Sequence, residues 1–271
     1  MKFSSLMLLL LAWTALHAQD TSQHFNRLGM QLGGQQTHLL DAQFSPLIYR
    51  ANEITVDLYY EGKHNRSNWK GSFSFATGTL IPPAHGDRKL YNTTEDIYGN
   101  IITDSFFVEG NTLTAVLELG YEYDVVRKAS YTISAGGGIR EQLMYPSTFV
   151  NLGIINTASL LAAATIHFHP DAKNDWTAGL QLPVVSLNSR FPYSGTVSQP
   201  EMKLLGAFFD GTQFVSLGHY QQVNLQLGYH RQLSDKWRIG ATYEFEWLKD
   251  NETLPLKLFS NLLVATVDYT F

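Results

Sequence analysis

The sequence contains no cysteine, so disulfide bonds and thiolate chemistry are excluded. It also lacks an excess of positive charge, since 19 Lys and Arg stand against 24 Asp and Glu for a formal net charge of −5. Nucleic-acid binding, which requires a basic stripe, therefore has no support in the composition. Beyond residue 18, no apolar run reaches the 18 or so residues that a transmembrane helix needs.

The N-terminal segment has the layout of a secretory signal peptide. Lys2 precedes an apolar run over Leu6–Leu16, which is too short to span a bilayer, and Ala18 is a small residue suited to precede a cleavage site. We therefore predict a signal peptide over residues 1–18 and a mature domain over residues 19–271. The alternative is an uncleaved N-terminal anchor. A lipid-anchored lipoprotein is not expected, because no cysteine follows the apolar run.

The last nine residues show the alternation of a β-strand. One face is apolar, and the other becomes polar toward its end: Leu263, Ala265, Val267, Tyr269 and Phe271 against Val264, Thr266, Asp268 and Thr270. An alternation closed by a terminal aromatic residue resembles the last strand of bacterial outer-membrane β-barrels. The resemblance implies an outer-membrane location and makes Phe271 the expected signal for the barrel assembly machinery.

Period-2 alternation recurs in ten segments, which supports the same fold class. The segments cover about 26–36, 53–61, 68–78, 112–124, 129–140, 155–169, 175–187, 222–230, 237–247 and 258–271. Short turn-like links alternate with longer ones, as in outer-membrane barrels with both termini in the periplasm. We predict an all-β fold, a transmembrane antiparallel up-and-down barrel of ten strands.

Two features leave the strand count open. Residues 97–107 or 202–217 could form a further hairpin, so twelve strands is the alternative. Pro183 lies within the seventh segment, and a closed barrel has no free edge to accept a prolyl nitrogen. That strand must therefore end near Leu182 or carry a bulge.

Aromatic residues cluster beside the short links in the outward phase. They are Tyr60, Trp69, Tyr123, Trp176, Tyr229, Trp237 and Tyr269. Trp and Tyr prefer the headgroup level of a membrane, because each ring is apolar while its N–H or O–H reaches water. The positions predict a membrane girdle at the short-turn rim.

Charged residues of both signs fall in the inward phase. They are Asp57, Glu61, Glu118, Glu122, Arg140, Arg238, Glu244, Glu246 and Asp268. Because an unpaired buried charge is costly, mixed charges in a narrow lumen predict a salt-bridged plug. The plug requires Glu118 and Glu244 to lie within reach of Arg140 or Arg238. The alternative is a thin path that prefers cations and carries small solutes.

Three histidines, His167, His169 and His230, share the inward phase near the short-turn rim. Imidazoles combined with a carboxylate can bind zinc or copper. A metal site is therefore one hypothesis, and hydrogen bonding within the polar lumen is the other. No other cofactor is expected.

Catalytic patterns of known outer-membrane enzymes are not matched. Omptin proteases carry paired Asp residues and an Asp–His couple, and the sequence has neither Asp-x-Asp nor Asp-x-His. Outer-membrane phospholipases use Ser, His and Asn on the lipid-facing side. Ser216, His219 and Asn224 lie close in sequence, but Asn224 is in the inward phase. A lipid-modifying hydrolase is thus the less favoured alternative.

The function predicted from sequence is envelope structure or surface recognition by a monomeric barrel. Two long loops, Thr79–Asn111 and Asn188–Tyr220, are expected to face outside, where loops commonly carry function. The expected partners are outer-membrane lipid and lipopolysaccharide, together with the assembly machinery.

Overall fold

The computed structural model describes residues 24–84, 89–96, 98–107, 109–148, 152–190, 206, 208–209, 212–216, 218–251 and 254–271. The predicted signal peptide lies outside these residues and stays a prediction. In the described part of the chain, no helix is both long and apolar enough to cross a membrane.

Thirteen strands account for most of the described residues. They are β1 (His24–Asp41), β2 (Ile48–His64), β3 (Ser67–Ile81), β4 (Lys89–Glu95), β5 (Ile101–Phe107), β6 (Gly110–Arg127), β7 (Tyr131–Ser147), β8 (Ile155–Phe168), β9 (Asn174–Arg190), β10 (Gln213–Ser216), β11 (Tyr220–Gln232), β12 (Trp237–Asp250) and β13 (Leu256–Thr270).

Ten of these strands form a closed antiparallel barrel, as predicted. Its order is β9-β11-β12-β13-β1-β2-β3-β6-β7-β8, and pairing of β8 with β9 completes the ring. The first and last strands pair from Arg27↔Thr270 to Asp41↔Leu256. The twelve-strand alternative is wrong, because β4 and β5 pair with each other in a separate hairpin and β10 pairs only with the end of β9 near the long loops.

Pro183 lies in a strand that continues past it. The β8–β9 register shifts at this point, since Leu161 pairs with Pro183 while Leu160 pairs with Val185. On its other edge β9 pairs with β11 as far as Gln181, and with β10 from Val185 onward. On this edge, the proline therefore lies between the residues that pair with β11 and those that pair with β10. The bulge interpretation is correct, and the strand does not end at Leu182.

The outward face of the barrel carries the apolar alternation. On β1, Leu28, Met30 and Leu32 are 57%, 52% and 54% exposed, while Arg27 and Gln31 in the opposite phase are buried. At the short-turn rim, outward aromatic rings pair across strands: Trp176 with Tyr229 at 4.7 Å and Trp237 with Tyr269 at 5.1 Å between ring centroids. Trp69 pairs at 4.7 Å with Tyr121, which the predicted girdle had omitted.

The strands are longer than a membrane requires. Barrel strands of 13 to 18 residues, tilted by about 40°, reach roughly 40 Å, against a lipid-facing band of about 25 Å. Two links predicted as long, over 37–52 and 249–257, are consequently short: the strands leave only residues 42–47 and 251–255 between them.

Where the strands extend beyond this band, apolar side chains appear on the inward face. In the upper part of β13, Leu256 and Leu258 point inward and are buried, while Lys257 is outward and exposed. Lower in the same strand, inward Asp268 alternates with outward Val267. On β13 the lower outward positions are apolar and the interior polar, whereas at the upper end Lys257 is outward and leucines are inward.

Buried apolar side chains from seven strands converge inside the long-loop end of the barrel. We call this cluster the apolar cap; it comprises Leu39, Met144, Ile155, Val215, Tyr220, Leu248, Leu256 and Leu258. A second cluster beside it contains Phe44, Tyr49, Ala51 and Leu80. Burial of such side chains stabilises the closed end by about 1.5–3 kcal/mol each.

Candidate functional site

The polar interior below the apolar cap encloses a cavity of about 230 Å³. Its ionisable lining includes six carboxylates and three cationic side chains, an excess of three negative charges: Asp57, Glu61, Glu118, Glu122, Glu244 and Glu246 against Lys70, Arg140 and Arg238. These residues alternate with outward apolar ones, so the strand period alone directs them inward.

Arg140 on β7 lies at the centre of the upper part of this network. Its guanidinium is 3.7 Å from a Glu118 oxygen and 3.4 Å from a Glu246 oxygen. The side-chain amides of Gln181 and Gln222 donate to Glu118 and Glu246, each at 2.6 Å. Both carboxylates are therefore shared between a cation and an amide.

Glu244 makes a different contact from the predicted one. It accepts a hydrogen bond from Gln226 at 3.1 Å, and no direct ion pair joins it to Arg140 or Arg238 among the described contacts. It interacts electrostatically with Lys70 across the lumen, as does Asp57. The Asp57 Oδ1 atom is buried without a hydrogen-bond partner.

Arg238 on β12 organises the lower part of the network. It is within 3.9 Å of Glu61 and 3.7 Å of Asp175, and its Nε donates to Asp268. Asp268 also accepts from the Tyr59 hydroxyl. Tyr59 reaches it across Gly29, where an added Cβ would lie only 2.3 Å from the tyrosine ring.

Two further predicted carboxylates, Glu122 and Glu61, have a hydroxyl group and a third arginine as partners. Glu122 accepts from the Thr165 hydroxyl at 2.9 Å. Glu61 pairs with Arg27 at 2.7 Å, a partner that shares its inward phase. Thus every predicted lumen residue faces the interior. Four of the predicted carboxylates pair with the two arginines, and among the described contacts the other three pair with neither: Asp57, Glu122 and Glu244.

The three histidines do not converge on one point. His167 and His169 lie beside Asp175, with Nδ1–oxygen distances of 3.7 and 3.2 Å, and their rings stack at 6.1 Å. His230 lies directly opposite Asp175 on the neighbouring strand β11, but it is buried and its Nδ1 has no hydrogen-bond partner. Among the described residues, no group of three or more His, Cys, Asp or Glu is arranged to hold a metal ion. The metal hypothesis therefore has no structural support.

Two polar clusters were missed by the sequence analysis as sites. Asp124, fully buried near the short-turn rim, accepts from Arg127, Ser134 and Asn68, each at 2.7 Å, and pairs with Lys63 at 3.0 Å. Near the long-loop rim, Arg190 pairs with Asp41 and donates to the Leu254 carbonyl at 2.6 Å; the Asn188 amide donates to Asp250 at 2.6 Å. The inward phase of Asp124 in its strand was the sequence signal that could have indicated this cluster. The residues near the long-loop rim fell in segments predicted as loops.

Comparison with known proteins places the chain by fold. No protein-family model matches it, and no curated protein matches it by sequence. Among solved structures, it is similar to the outer membrane protease OmpT from Escherichia coli, with a TM-score of 0.52 and 9% identity over 94% of this chain and 99% of that chain. The translocator domain of the autotransporter NalP from Neisseria meningitidis follows with a TM-score of 0.41 and 13% identity, covering 99% of this chain and 96% of that one.

These observations define the class of the protein. A closed ten-stranded antiparallel barrel with an outward apolar band and an inward polar network has the fold of outer-membrane β-barrels. At 9% identity the likeness to OmpT extends to the fold alone.

Proposed function

We propose that this protein is an integral outer-membrane barrel with a closed lumen that acts in envelope structure or surface recognition. The observation that carries the proposal is the apolar cap, whose buried side chains come from six of the ten barrel strands and from β10. An aqueous path through this layer would expose its apolar side chains to water, at a cost of about 1.5–3 kcal/mol per side chain.

The ion-pair network supports closure at a second level. Arg140 and Arg238 each bridge carboxylates from different strands, so their side chains extend across the interior. A ten-stranded barrel is only slightly wider than the eight-stranded kind that side chains fill.

In the proposed orientation, the short-turn rim and both termini face the periplasm. Aromatic pairs surround that rim, and the Phe271 N–H donates to the Asn26 carbonyl at 2.9 Å, which fixes the last residue against β1. This placement leaves the Phe271 ring exposed for the assembly machinery. The residues before His24 belong, in this proposal, to a cleaved signal peptide and the start of the mature chain.

The opposite rim would then meet the outside of the cell. Its β4–β5 hairpin exposes Tyr91, Tyr98 and Ile101, and Phe209 and Phe214 are exposed near β10. Phe208 and Val215 beside them are buried, so this loop contributes to closure as well as to the outer surface. Exposed aromatic residues of this kind suit recognition of a partner.

Single-channel recording in a planar bilayer tests the closed lumen. We expect the folded wild-type protein to be silent, and Leu248→Ala/Leu258→Ala to produce measurable steps because it opens the apolar cap. Leu263→Ala is the matched control, since this residue is exposed on the outward face. Conducting wild-type protein would contradict the proposal.

A narrow cation-preferring path is the second candidate, favoured by the excess of three negative charges around the cavity. It predicts cation-selective steps in the wild type that change in Glu118→Gln/Glu244→Gln. The same recordings therefore separate the two functions.

A further inference from the structure

A row of basic side chains lies on the outer wall just above the lipid-facing band. Lys249 on β12 is directly opposite Lys257 on β13, and His38 on β1 is directly opposite Arg50 on β2. His38 pairs with Phe259, and Leu40, two residues further on, pairs with Lys257. The two lysines therefore lie one outward position above His38 and Arg50, and Phe259 and Trp247 are level with His38. We call Lys249, Lys257, His38 and Arg50 the basic row.

The described part of the chain does not neutralise this row. Like charges directly opposite on neighbouring strands are destabilising, as for Lys249 and Lys257. The carboxylates at similar height on these four strands, Asp41, Glu53 and Asp250, are inward and buried. Among the described residues, no carboxylate forms an ion pair with the basic row. The arrangement is therefore complementary to an external anion.

An apolar groove lies on the same wall, directly below His38 and Arg50 and separated from the two lysines by Trp247 and Phe259. It has a volume of about 400 Å³, and its outward lining is Gly34, Gln36, Asn52, Ile54, Tyr243, Asn261 and Leu263. Ile54 and Leu263 make its lower part apolar, and the amides of Gln36 and Asn52 lie toward the basic row. Gly34 and His38 are four residues apart, about 13 Å along the strand.

Gly34 creates this groove by lacking a side chain. A Cβ there would have the Glu53 carbonyl oxygen at 3.9 Å as its nearest neighbour, which is ordinary van der Waals contact. Its backbone does not have the positive φ that would require glycine. A larger residue at this position would therefore fill the groove without disturbing the strand.

We propose that this wall binds a phosphorylated glycolipid of the leaflet facing the long-loop rim, with an acyl chain in the groove and phosphates on the basic row. The row crosses four strands, about 14 Å at the usual strand spacing, which suits two phosphates on a sugar backbone. The inference rests on the proposed membrane placement. It also predicts one-sided binding, because β7 carries outward Glu141, ten residues above the outward Tyr131 of the short-turn rim.

Native mass spectrometry of the detergent-purified barrel with added bisphosphorylated lipid A tests the proposal. We expect one lipid per barrel and about 100-fold weaker binding by Arg50→Gln/Lys249→Gln/Lys257→Gln, since each basic residue contributes about fivefold at an anionic surface. Lys128→Gln/Lys173→Gln/Lys236→Gln removes the same charge from the short turns and should bind as the wild type does. Equal weakening of both variants would overturn the proposal.

The groove is tested with the charges intact. Gly34→Leu should weaken lipid A binding at least tenfold, whereas Ala178→Leu, at an exposed outward position on the opposite wall, should leave it unchanged. Phosphatidylglycerol, with one phosphate, should bind more weakly than lipid A; equal binding would overturn the assignment to a bisphosphorylated lipid. Insertion into vesicles and the heat-dependent gel mobility of a folded barrel are measured for every variant. Failure of the wild type to insert would refute the membrane placement itself, whereas insertion without selective binding would refute only the lipid site.

Discussion

At the residue scale, Asp124 shows why charges can be buried in this barrel. Its carboxylate is 0% exposed and contacts two cations, Arg127 and Lys63, together with Ser134 and Asn68. A buried charge is tolerated when charged partners and hydrogen bonds replace its hydration. The four partners lie on β2, β3, β6 and β7, so Asp124 joins four strands near the short-turn rim.

Removing this carboxylate should strongly destabilise the barrel. We expect Asp124→Ala to lower the free energy of unfolding by about 3–5 kcal/mol, because two buried cations lose their partner. Reversible urea unfolding in detergent measures the change. Asp235→Ala in an exposed turn is the control and should change stability by less than about 0.5 kcal/mol. Equal stability of the two variants would show that the buried cluster is dispensable.

Asp171 illustrates a carboxylate that organises a turn in water. The Asn174 side chain, at 2.7 Å, and the backbone N–H groups of Lys173 and Asn174 donate to it, and these bonds lower the pKa of Asp171 below its ordinary value of 3.8. Since the folded-state pKa is the lower one, the stabilisation is present above the unfolded-state pKa. It is lost as pH falls through the lowered value.

An NMR titration of the Asp171 carboxyl carbon should therefore have its midpoint below 3.8. Asn174→Ala removes the largest cause and should raise the midpoint toward the ordinary value. A midpoint for Asp171 that does not change in the variant would contradict the assigned cause.

At the element scale, β9 shows how a barrel strand can contain proline. Pro183 occupies the bulge where β9 exchanges β11 for β10 on one edge. A prolyl nitrogen cannot donate to a ladder, so this is a position where its lack of an N–H does least harm. The sequence predicted that a bulge or a strand end was needed, and the neighbouring strands decided between them.

The two kinds of position on β9 predict opposite responses to proline. Pro183→Ala should change the free energy of unfolding by less than about 1 kcal/mol. Ala178→Pro should destabilise by about 2–3 kcal/mol, because Ala178 is paired with both Leu227 and Ile166 and a buried ladder acceptor loses its donor. Urea midpoints of the two variants measure this. Similar losses in both would argue against the bulge as the site that admits proline.

The upper ends of the strands were predicted to be loops for a physical reason. In Thr37 to Asp41, Leu39 is inward and Leu40 outward, so apolar residues lie on both faces and the outward-apolar alternation is lost. The same change hid the inward position of Asp41 and Asn188. A search for alternation with the phase reversed could have found these extensions.

At the scale of the whole molecule, the position of the membrane follows from the outer surface. On β1, Leu28 lies level with the aromatic Tyr60 and Tyr269, and Gln36 lies level with the polar Asn52 and Asn261. Leu32 is midway between these levels, and Leu40 is above them.

Arginine substitutions should therefore reveal the membrane depth. We expect Leu32→Arg to destabilise the barrel in lipid vesicles by about 2–4 kcal/mol and Leu40→Arg by less than about 1 kcal/mol, since the penalty falls toward the interface. Folding equilibria in vesicles measure both losses. Denaturant titrations of the same two variants without lipid provide the baseline stability. A larger loss for Leu40→Arg would place the band higher than inferred.

The sequence by itself determined the all-β class, the ten barrel strands and the inward phase of the predicted lumen residues. It could do so because lipid on one side and a polar interior on the other impose a period of two on every strand. The tertiary structure decided what that period cannot encode. Arg140 pairs with Glu118 and Glu246, and Arg238 pairs with Glu61 and Asp268. Asp175 lies beside two histidines, and the apolar cap forms at the long-loop end. Each of these arrangements depends on which strands meet across the barrel.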